Sequence, residues 1–387
     1  MKVLQIANDF HGTKVHSNLF KLLDQKGIEQ IVFNPLKDYK YAGENYFNGN
    51  NTTIIYAGVV KSYHRYLYHA KERHVFREML KYVDVKDIDI CHATTLFSDG
   101  GIAYLLYKKY RIPYVVAVRN TDINVFLKLL PHTWYEAIQI LLHAKRIFFI
   151  SEGLKRRFEN HFIIRPILSK IKHKFVLIPN GIDDYFLDNL SQVRQMNNKI
   201  IYVGDFSNNK NVVRLCEAVL QLKQQPKFKD ITLTLVGGGK NETDTIEKLI
   251  GKYPDVFKFL GKITDKVKLL DIFRQHSVFA MPSIHETFGL VYLEALSQNL
   301  PVLYTKGQAI DGLFLDTIGV KVNPFSVTEI VGALNYLLDD KNVFSNNSVD
   351  FTQFRWNYIA DKYIEHYKDC LGMCDVDYSL LKSFEVP

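Results

Sequence analysis

Apolar residues in the first half of the chain fall in short runs separated by longer amphipathic stretches. "KVLQIAN", "EQIVFN", "TTIIYAG", "DIDICHA", "IPYVVAVR" and "RIFFIS" carry the apolar and β-branched content of buried strands. Between them, segments such as "SNLFKLLDQKG" and "GIAYLLYKKYR" suit helices, and this alternation predicts a parallel, doubly wound sheet. At "KFVLIPNGIDDYF" a strand runs into a Pro-Asn-Gly turn, and the polar "DNLSQVRQMNN" that follows reads as a linker. The pattern then restarts. "KIIYVGD", "ITLTLVGGG", "FKFLGK", "SVFAMPS" and "LPVLYTK" are strand-like, separated by helical stretches such as "NVVRLCEAVLQLKQ" and "VKLLDIFRQH". The expectation is an α/β chain of two Rossmann-like domains in tandem, with a ligand cleft between the carboxyl ends of two facing sheets.

Length agrees, because 387 residues exceed one ordinary α/β domain and suit two. No run of 18 or more apolar residues occurs, and "MKVLQIANDF" reads as a first strand, so neither a spanning helix nor a signal peptide is expected. Four cysteines in such a chain fit reduced thiols in a cytoplasm. His366, Cys370 and Cys374 recur at intervals of four, which reads as one face of a terminal helix. The net charge of +8 is uneven: residues 1–188 hold 27 Lys/Arg against 18 Asp/Glu, and residues 189–387 hold 22 against 23. A basic first half fits an anionic membrane surface or an acidic substrate. No RNA-binding or helix-turn-helix signature accompanies it, so nucleic acid is not the expected partner.

Candidate chemistry concentrates in "HETFGLVYLEALSQNLP", where a Gly precedes a helical run that Asn299 and Pro301 end. Free backbone N–H groups near Gly289 and Leu290 would form a site for a phosphate or a polar sugar group. Glu286 precedes the helix and Glu294 lies in its second turn, on the order of 10 Å away. Two carboxylates at that separation suit the hydroxyl-rich ends of a sugar nucleotide, with helix amides serving its diphosphate. Two solvated helix glutamates would show the same spacing.

The segment "SVFAMPSIHETFGLVYLEALSQNLPVLYT" closely resembles the signature of the family-4 glycosyltransferases, retaining enzymes of the GT-B fold with an E-x7-E motif. "KIIYVGDFSNNKNVVRLCEAV", "ITLTLVGGG", "FKFLGKITDKVKLLDIFRQHSVF", "ISEGLKRRF", "VLIPNGID" and "FRWNYIADKYIEHY" agree with it in order and spacing. The resemblance implies an acceptor-binding domain over 1–188, a nucleotide-sugar-binding domain over 189–355, and a C-terminal helix and tail over 356–387 crossing back to the first domain. It further implies that Glu294 binds the ribose and Glu286 the transferred sugar. Amides of Thr287, Phe288, Gly289, Leu290 and Val291 would hold sugar hydroxyls and phosphate, and Lys210 the diphosphate. Gly204, Gly237, Gly238 and Gly239 would line the pocket, with Gly261, Lys262 and Ile263 against the base; Trp356 would pack between domains. No cofactor or metal is implied beyond the donor itself, a UDP-sugar or GDP-sugar.

Two positions depart from the family pattern. Asp205 stands where the family commonly has an arginine that helps neutralise the diphosphate, and Arg119, in "AVRNTD", stands where it usually has a histidine at the transferred sugar. Positive charge could thus have crossed the cleft, making Arg119 a third catalytic residue with Glu286 and Lys210. The alternative is a structural Arg119 paired with Asp122 or Glu152.

Gly12, Thr13, His16, Ser98 and Asp99 follow first-domain strands and, with Asp122, are candidate acceptor contacts. "KSYHRYLYHAKERHVFREMLKY" and "KRRFENHFIIRPILSKIKHKF" interleave aromatic and basic residues, which suits a segment at a membrane interface as well as an ordinary amphipathic helix. The expectation is a cytoplasmic, peripheral hexosyltransferase acting on a glycan or lipid-linked acceptor in bacterial surface polysaccharide or glycolipid assembly. The competing expectations are a sugar-nucleotide epimerase of the same fold and an inactive nucleotide-sugar-binding subunit.

Overall fold

The computed structural model describes residues 1–373 other than 66, 315–317, 343 and 348; Cys374 and the "DVD" of 375–377 lie outside the described residues. Two compact units partition the chain. One comprises Met1–Phe149, His161–Ile178 and the chain from Asn357; the other comprises Ile150–Asn160 and Pro179–Trp356.

The first unit is a seven-stranded parallel sheet: β1 (Lys2–Ile6), β2 (Glu29–Pro35), β3 (Thr52–Ala57), β4 (Ile90–Ala93), β5 (Tyr114–Ala117), β6 (Arg146–Phe149) and β7 (Phe175–Leu177). Their order is β3-β2-β1-β4-β5-β6-β7. The central strands β4 and β5 are buried throughout, as parallel strands covered on both faces must be, which is why their sequences run apolar instead of alternating. Helices α1 (Lys14–Gln25), α2 (Tyr68–Met79), α3 (Gly100–Tyr110) and α4 (Trp134–His143) follow β1, β3, β4 and β5. The single turn α6 (Leu168–Ile171) also belongs here, whereas α5 (Glu152–Glu159) and α7 (Asp184–Asp188) belong to the second unit. A six-residue π-helical segment, Asp122–Leu127, lies between β5 and α4.

The second unit is a six-stranded parallel sheet: β8 (Lys199–Gly204), β9 (Thr232–Gly237), β10 (Phe257–Phe259), β11 (Val278–Ala280), β12 (Val302–Thr305) and β13 (Gly319–Val322), ordered β10-β9-β8-β11-β12-β13. Its helices are α8 (Val212–Lys223), α9 (Thr243–Lys252), α10 (Lys266–Arg274), α11 (Leu290–Ser297) and α12 (Val327–Leu337). Strand β13 was not among the expected ones.

Residues 189–198 have no regular structure but are fastened to the second sheet, with the Arg194 guanidinium donating to the carbonyls of Ser277 and Leu337, and Asn197 N–H to Ser277 Oγ at 2.8 Å. The last helix, α13 (Trp356–Cys370), crosses back and joins the first unit from Asn357 on. Arg146 pairs there with Asp369 and Lys26 with Asp361 at 2.7 Å, while His92 Nδ1 lies 2.8 Å from both Gln5 Oε1 and the Tyr367 hydroxyl. Both units are thus Rossmann-like, and the fold is that of the expected GT-B class.

Candidate functional site

The order of the second sheet reverses between β8 and β11, so the loops leaving these two strands flank its switch point, where open α/β sheets bind ligands. Lys210 follows β8 and Glu286 follows β11, and Lys210 Nζ donates to Glu286 Oε2 at 2.5 Å. Both side chains are partly buried, so screening by water is incomplete.

Neighbouring residues fix this pair. Asn209 Oδ1 accepts from His285 N–H at 3.0 Å, and its amide donates to the His285 carbonyl at 2.7 Å. Asn211, held in the left-handed region at φ 61°, donates to the carbonyls of Pro282 and Pro324. From below, Tyr292 donates its hydroxyl to the Met281 carbonyl, and Thr305 to that of Ser283 at 2.6 Å. These six contacts, with the Ile284 N–H donating to the Asn209 carbonyl at 2.7 Å, hold the 281–286 backbone and its glutamate before any ligand arrives.

Gly289 is the N-cap of α11 at φ 71° and ψ 67°, and a Cβ there would stand 2.5 Å from the Tyr292 ring. Only glycine turns the chain this way without strain. The turn leaves the N–H groups of Phe288, Gly289, Leu290 and Val291 without a protein acceptor among the described residues, at the positive end of the helix. Thr287 N–H is taken by Glu286 Oε1 at 3.1 Å, and the Phe288 side chain is buried beside Phe354, so it offers only its backbone.

Glu294 lies one turn into α11, partly buried, and no donor among the described residues reaches its carboxylate. Burial, and secondarily the charge of Asp183, pushes its pKa from 4.5 up to about 7, against the opposing influence of Lys266. Asp183 and Lys266 are themselves an ion pair. A carboxylate kept short of hydrogen bonds and ionising near neutrality is one whose anionic form a hydroxyl donor would relieve.

Backbone lines the rest of this end. Gly237, at φ 128°, approaches so closely that a Cβ would meet the Gly204 carbonyl oxygen at 1.8 Å. The Gly238 N–H donates to that carbonyl, and the Gly237 N–H to the Gly261 carbonyl at 2.8 Å, drawing the 261–263 loop against the glycine turn. Lys262 is exposed and Ile263 partly so. Asp205 closes its own turn by accepting from Ser207 N–H at 3.1 Å, while its carbonyl accepts from the Tyr202 hydroxyl. Trp356 is buried against Gly181 within the second unit.

In the first unit the reversal falls between β1 and β4; Gly12, Thr13, His16, Ser98 and Asp99 lie on the two loops there or just beyond them, and Asp122 follows β5. Thr13 caps α1 by accepting from Val15 N–H, Gly12 ends a short 3-10 turn, and Ser98 receives Lys71 Nζ at 3.4 Å. Asp99 is fully buried; it accepts from the Thr94 and Thr95 hydroxyls at 2.9 Å and from Asn8 N–H at 3.1 Å, pinning the two loops together. Asp122 is likewise buried and accepts from the N–H groups of Arg119, Leu96 and Phe97. An acceptor could engage either carboxylate only by displacing these donors. Burial raises both, Asp99 to about 7 and Asp122 to about 6.

Arg119 Nε donates to the Thr94 carbonyl at 3.0 Å, and its guanidinium faces His16, His92 and the Tyr363 hydroxyl. His16 is buried, held well below its ordinary range by desolvation and then by Arg119. Glu152 pairs within its own helix, with Lys155 at 2.8 Å and Arg156 at 3.5 Å. Sequence reasoning also missed Asn209, Asn211, Tyr292 and Ser151, whose hydroxyl caps α5 and reaches the Thr287 carbonyl at 3.3 Å. The asparagines of "SNNKN" were the available signal for the first two.

Two family descriptions match consecutive parts of the chain: residues 14–185 match "Glycosyltransferase Family 4" and residues 187–352 match "Glycosyl transferases group 1". An uncharacterized glycosyltransferase of Methanocaldococcus jannaschii is 24% identical over 321 residues, 75% of this chain and 77% of that protein. A putative teichuronic acid biosynthesis glycosyltransferase of Bacillus subtilis is 22% identical over 285 residues, 68% and 65% of the respective chains. Among solved structures, sucrose-phosphate synthase from Thermosynechococcus elongatus superposes with a TM-score of 0.72 at 16% identity, covering 97% of this chain and all of that one.

Proposed function

We propose that this chain, a family-4-like GT-B glycosyltransferase by its two family matches, moves a sugar from a nucleotide-sugar donor to a glycan or lipid-linked acceptor with retention of configuration. The observation that carries the reading is the Lys210–Glu286 pair at the switch point, facing a helix start whose amides have no protein acceptor. An incoming diphosphate takes the Lys210 ammonium and the free amides, which releases Glu286 for a sugar hydroxyl. Glu294 accepts from the ribose hydroxyls.

In the transfer, the bond from the anomeric carbon to the diphosphate oxygen breaks on the face where the acceptor oxygen bonds, and the departing oxygen takes the acceptor's proton. No protein carboxylate serves as base in this scheme. Lys210 and the amides stabilise the developing charge, and rigid holding of the 281–286 loop means that little reorganisation is spent at that moment. The reaction needs no metal on this account.

The name of the Bacillus subtilis relative, a putative teichuronic acid biosynthesis glycosyltransferase, supports a role in polysaccharide assembly. Exposed Leu129, Tyr135 and Phe162, beside the basic stretches of the first unit, support an acceptor met at an anionic membrane surface, with the chain peripheral on its cytoplasmic face. No described helix is long and apolar enough to cross a membrane. The competing epimerase reading would need no separate acceptor. Incubating donor alone, then donor with lipid-linked saccharides, separates them: transfer with an unchanged anomeric configuration by NMR supports the proposal, whereas epimerised donor without acceptor sinks it.

A further inference from the structure

The first unit carries a second cluster that the proposed transfer does not use. His69 and Glu72 stand on α2 and Glu136 on α4, and one ligand atom from each lies within 4.8 Å of the others. His69 Nδ1 is 2.6 Å from Glu136 Oε2 and 3.7 Å from Glu72 Oε2. They open onto a cavity of about 330 Å³ whose wall includes His132, with its ring centroid 6.3 Å from that of His69.

The arrangement is short of positive charge. One imidazole faces two carboxylates, and Glu72 is only 3% exposed with no partner for its Oε1. The neighbouring Tyr68 hydroxyl donates to the Phe97 carbonyl at 2.9 Å, and Lys71 reaches Ser98. The fold nevertheless makes room for this carboxylate. A Cβ at Gly101 would stand 1.4 Å from Glu72 Oε1, so any side chain there expels it. A buried carboxyl oxygen left without a partner costs free energy that a ligand from outside can offset.

We propose that His69, Glu72 and Glu136 bind one divalent transition ion of the zinc class. One imidazole nitrogen with two carboxylate oxygens suits such an ion better than magnesium or calcium, which favour all-oxygen sets. His132 or water completes the coordination. The ion ties α2 to α4, and Tyr68 carries that tie to Phe97 and Phe126, which stack at 4.5 Å on the loops that hold Ser98, Asp99 and Asp122. Its role is to stiffen those loops, not to take part in the transfer chemistry.

The test uses the full chain, stripped with chelator and titrated with Zn²⁺ alone, with bound metal counted by elemental analysis after gel filtration. One ion per chain is expected, and X-ray absorption should show nitrogen and oxygen donors without sulfur. His69→Ala and Glu136→Gln, at positions more accessible than Glu72, should each weaken Zn²⁺ binding at least tenfold, while His366→Ala leaves it unchanged. Substoichiometric zinc, sulfur ligation, or equal affinity in wild type and His69→Ala overturns the proposal.

Discussion

Replacing Glu294 by glutamine separates the cost of this carboxylate from its use. Its pKa in the fold is about 7 against 4.5 for the ordinary group, so the folded chain holds an extra proton between those pH values. The sign follows directly. Below about pH 4.5 the group is protonated whether folded or not and costs nothing; as pH rises toward 7 the unfolded chain ionises it freely while the folded chain resists. The penalty is complete above pH 7 and, at 1.36 kcal/mol per pH unit, amounts to at most about 3 kcal/mol, less whatever residual solvent contact recovers. Glu294→Gln cannot ionise and should escape it. Its second unit should melt higher than wild type at pH 8 by up to about 10 °C, with the gap closing near pH 5. The same variant should bind nucleotide about 10- to 100-fold more weakly at pH 8, because a charge-assisted acceptor for ribose hydroxyls is gone. Melting curves by differential scanning calorimetry from pH 5 to 8, with nucleotide titrations at the same points, read both effects. Parallel stability profiles for the two proteins would refute the argument from burial, and an unchanged nucleotide Kd would remove Glu294 from the site.

Gly289→Ala should destabilise the second unit by about 1–3 kcal/mol and weaken donor binding, because φ 71° and the Tyr292 ring both exclude a side chain; chemical denaturation and donor titration measure the two. Arg119→Ala should lower the melting temperature, since the Thr94 carbonyl loses its donor, and Asp205→Arg should not restore it. Donor Kd in that pair reads the charge swap separately: rescue by Asp205→Arg supports a guanidinium at the diphosphate, and its absence opposes one. Sedimentation with anionic vesicles should carry the chain down at low salt and release it at high salt, and equal partitioning into neutral vesicles would contradict the membrane reading.

Most strands were legible because parallel strands buried on two faces leave short apolar runs bounded by turn residues. Strand β13 was not: "GVKV" begins with glycine and, on a sheet edge, carries the exposed Lys321. The glutamates of α11 could be read from their spacing around Gly289, and their roles from resemblance. What could not be read was the holding of the site. Asn209 grips His285 across 76 positions, and Glu72 meets Glu136 across 64, contacts that only the folded sheet order brings together. Asp99 and Asp122 looked like ligand carboxylates because they follow strands; in the fold their oxygens are occupied by loop donors, which a sequence does not display. The left-handed residues Asn211 and Gly289 were visible as residue types, but the close approach requiring glycine at 289 depends on where Tyr292 turns.

The central claim is that Lys210, Glu286 and Glu294 receive a nucleotide sugar. A thermal-shift screen of UDP, GDP, ADP and CMP with their sugar conjugates, run in parallel on wild type and Glu294→Ala, tests it most directly, because a ligand selective for the folded state raises its apparent stability. The account predicts that one uridine or guanosine class shifts the wild type, that its sugar conjugate does so too, and that both shifts largely vanish in the variant. No shift from any nucleotide, or the same shift in both proteins, would contradict it.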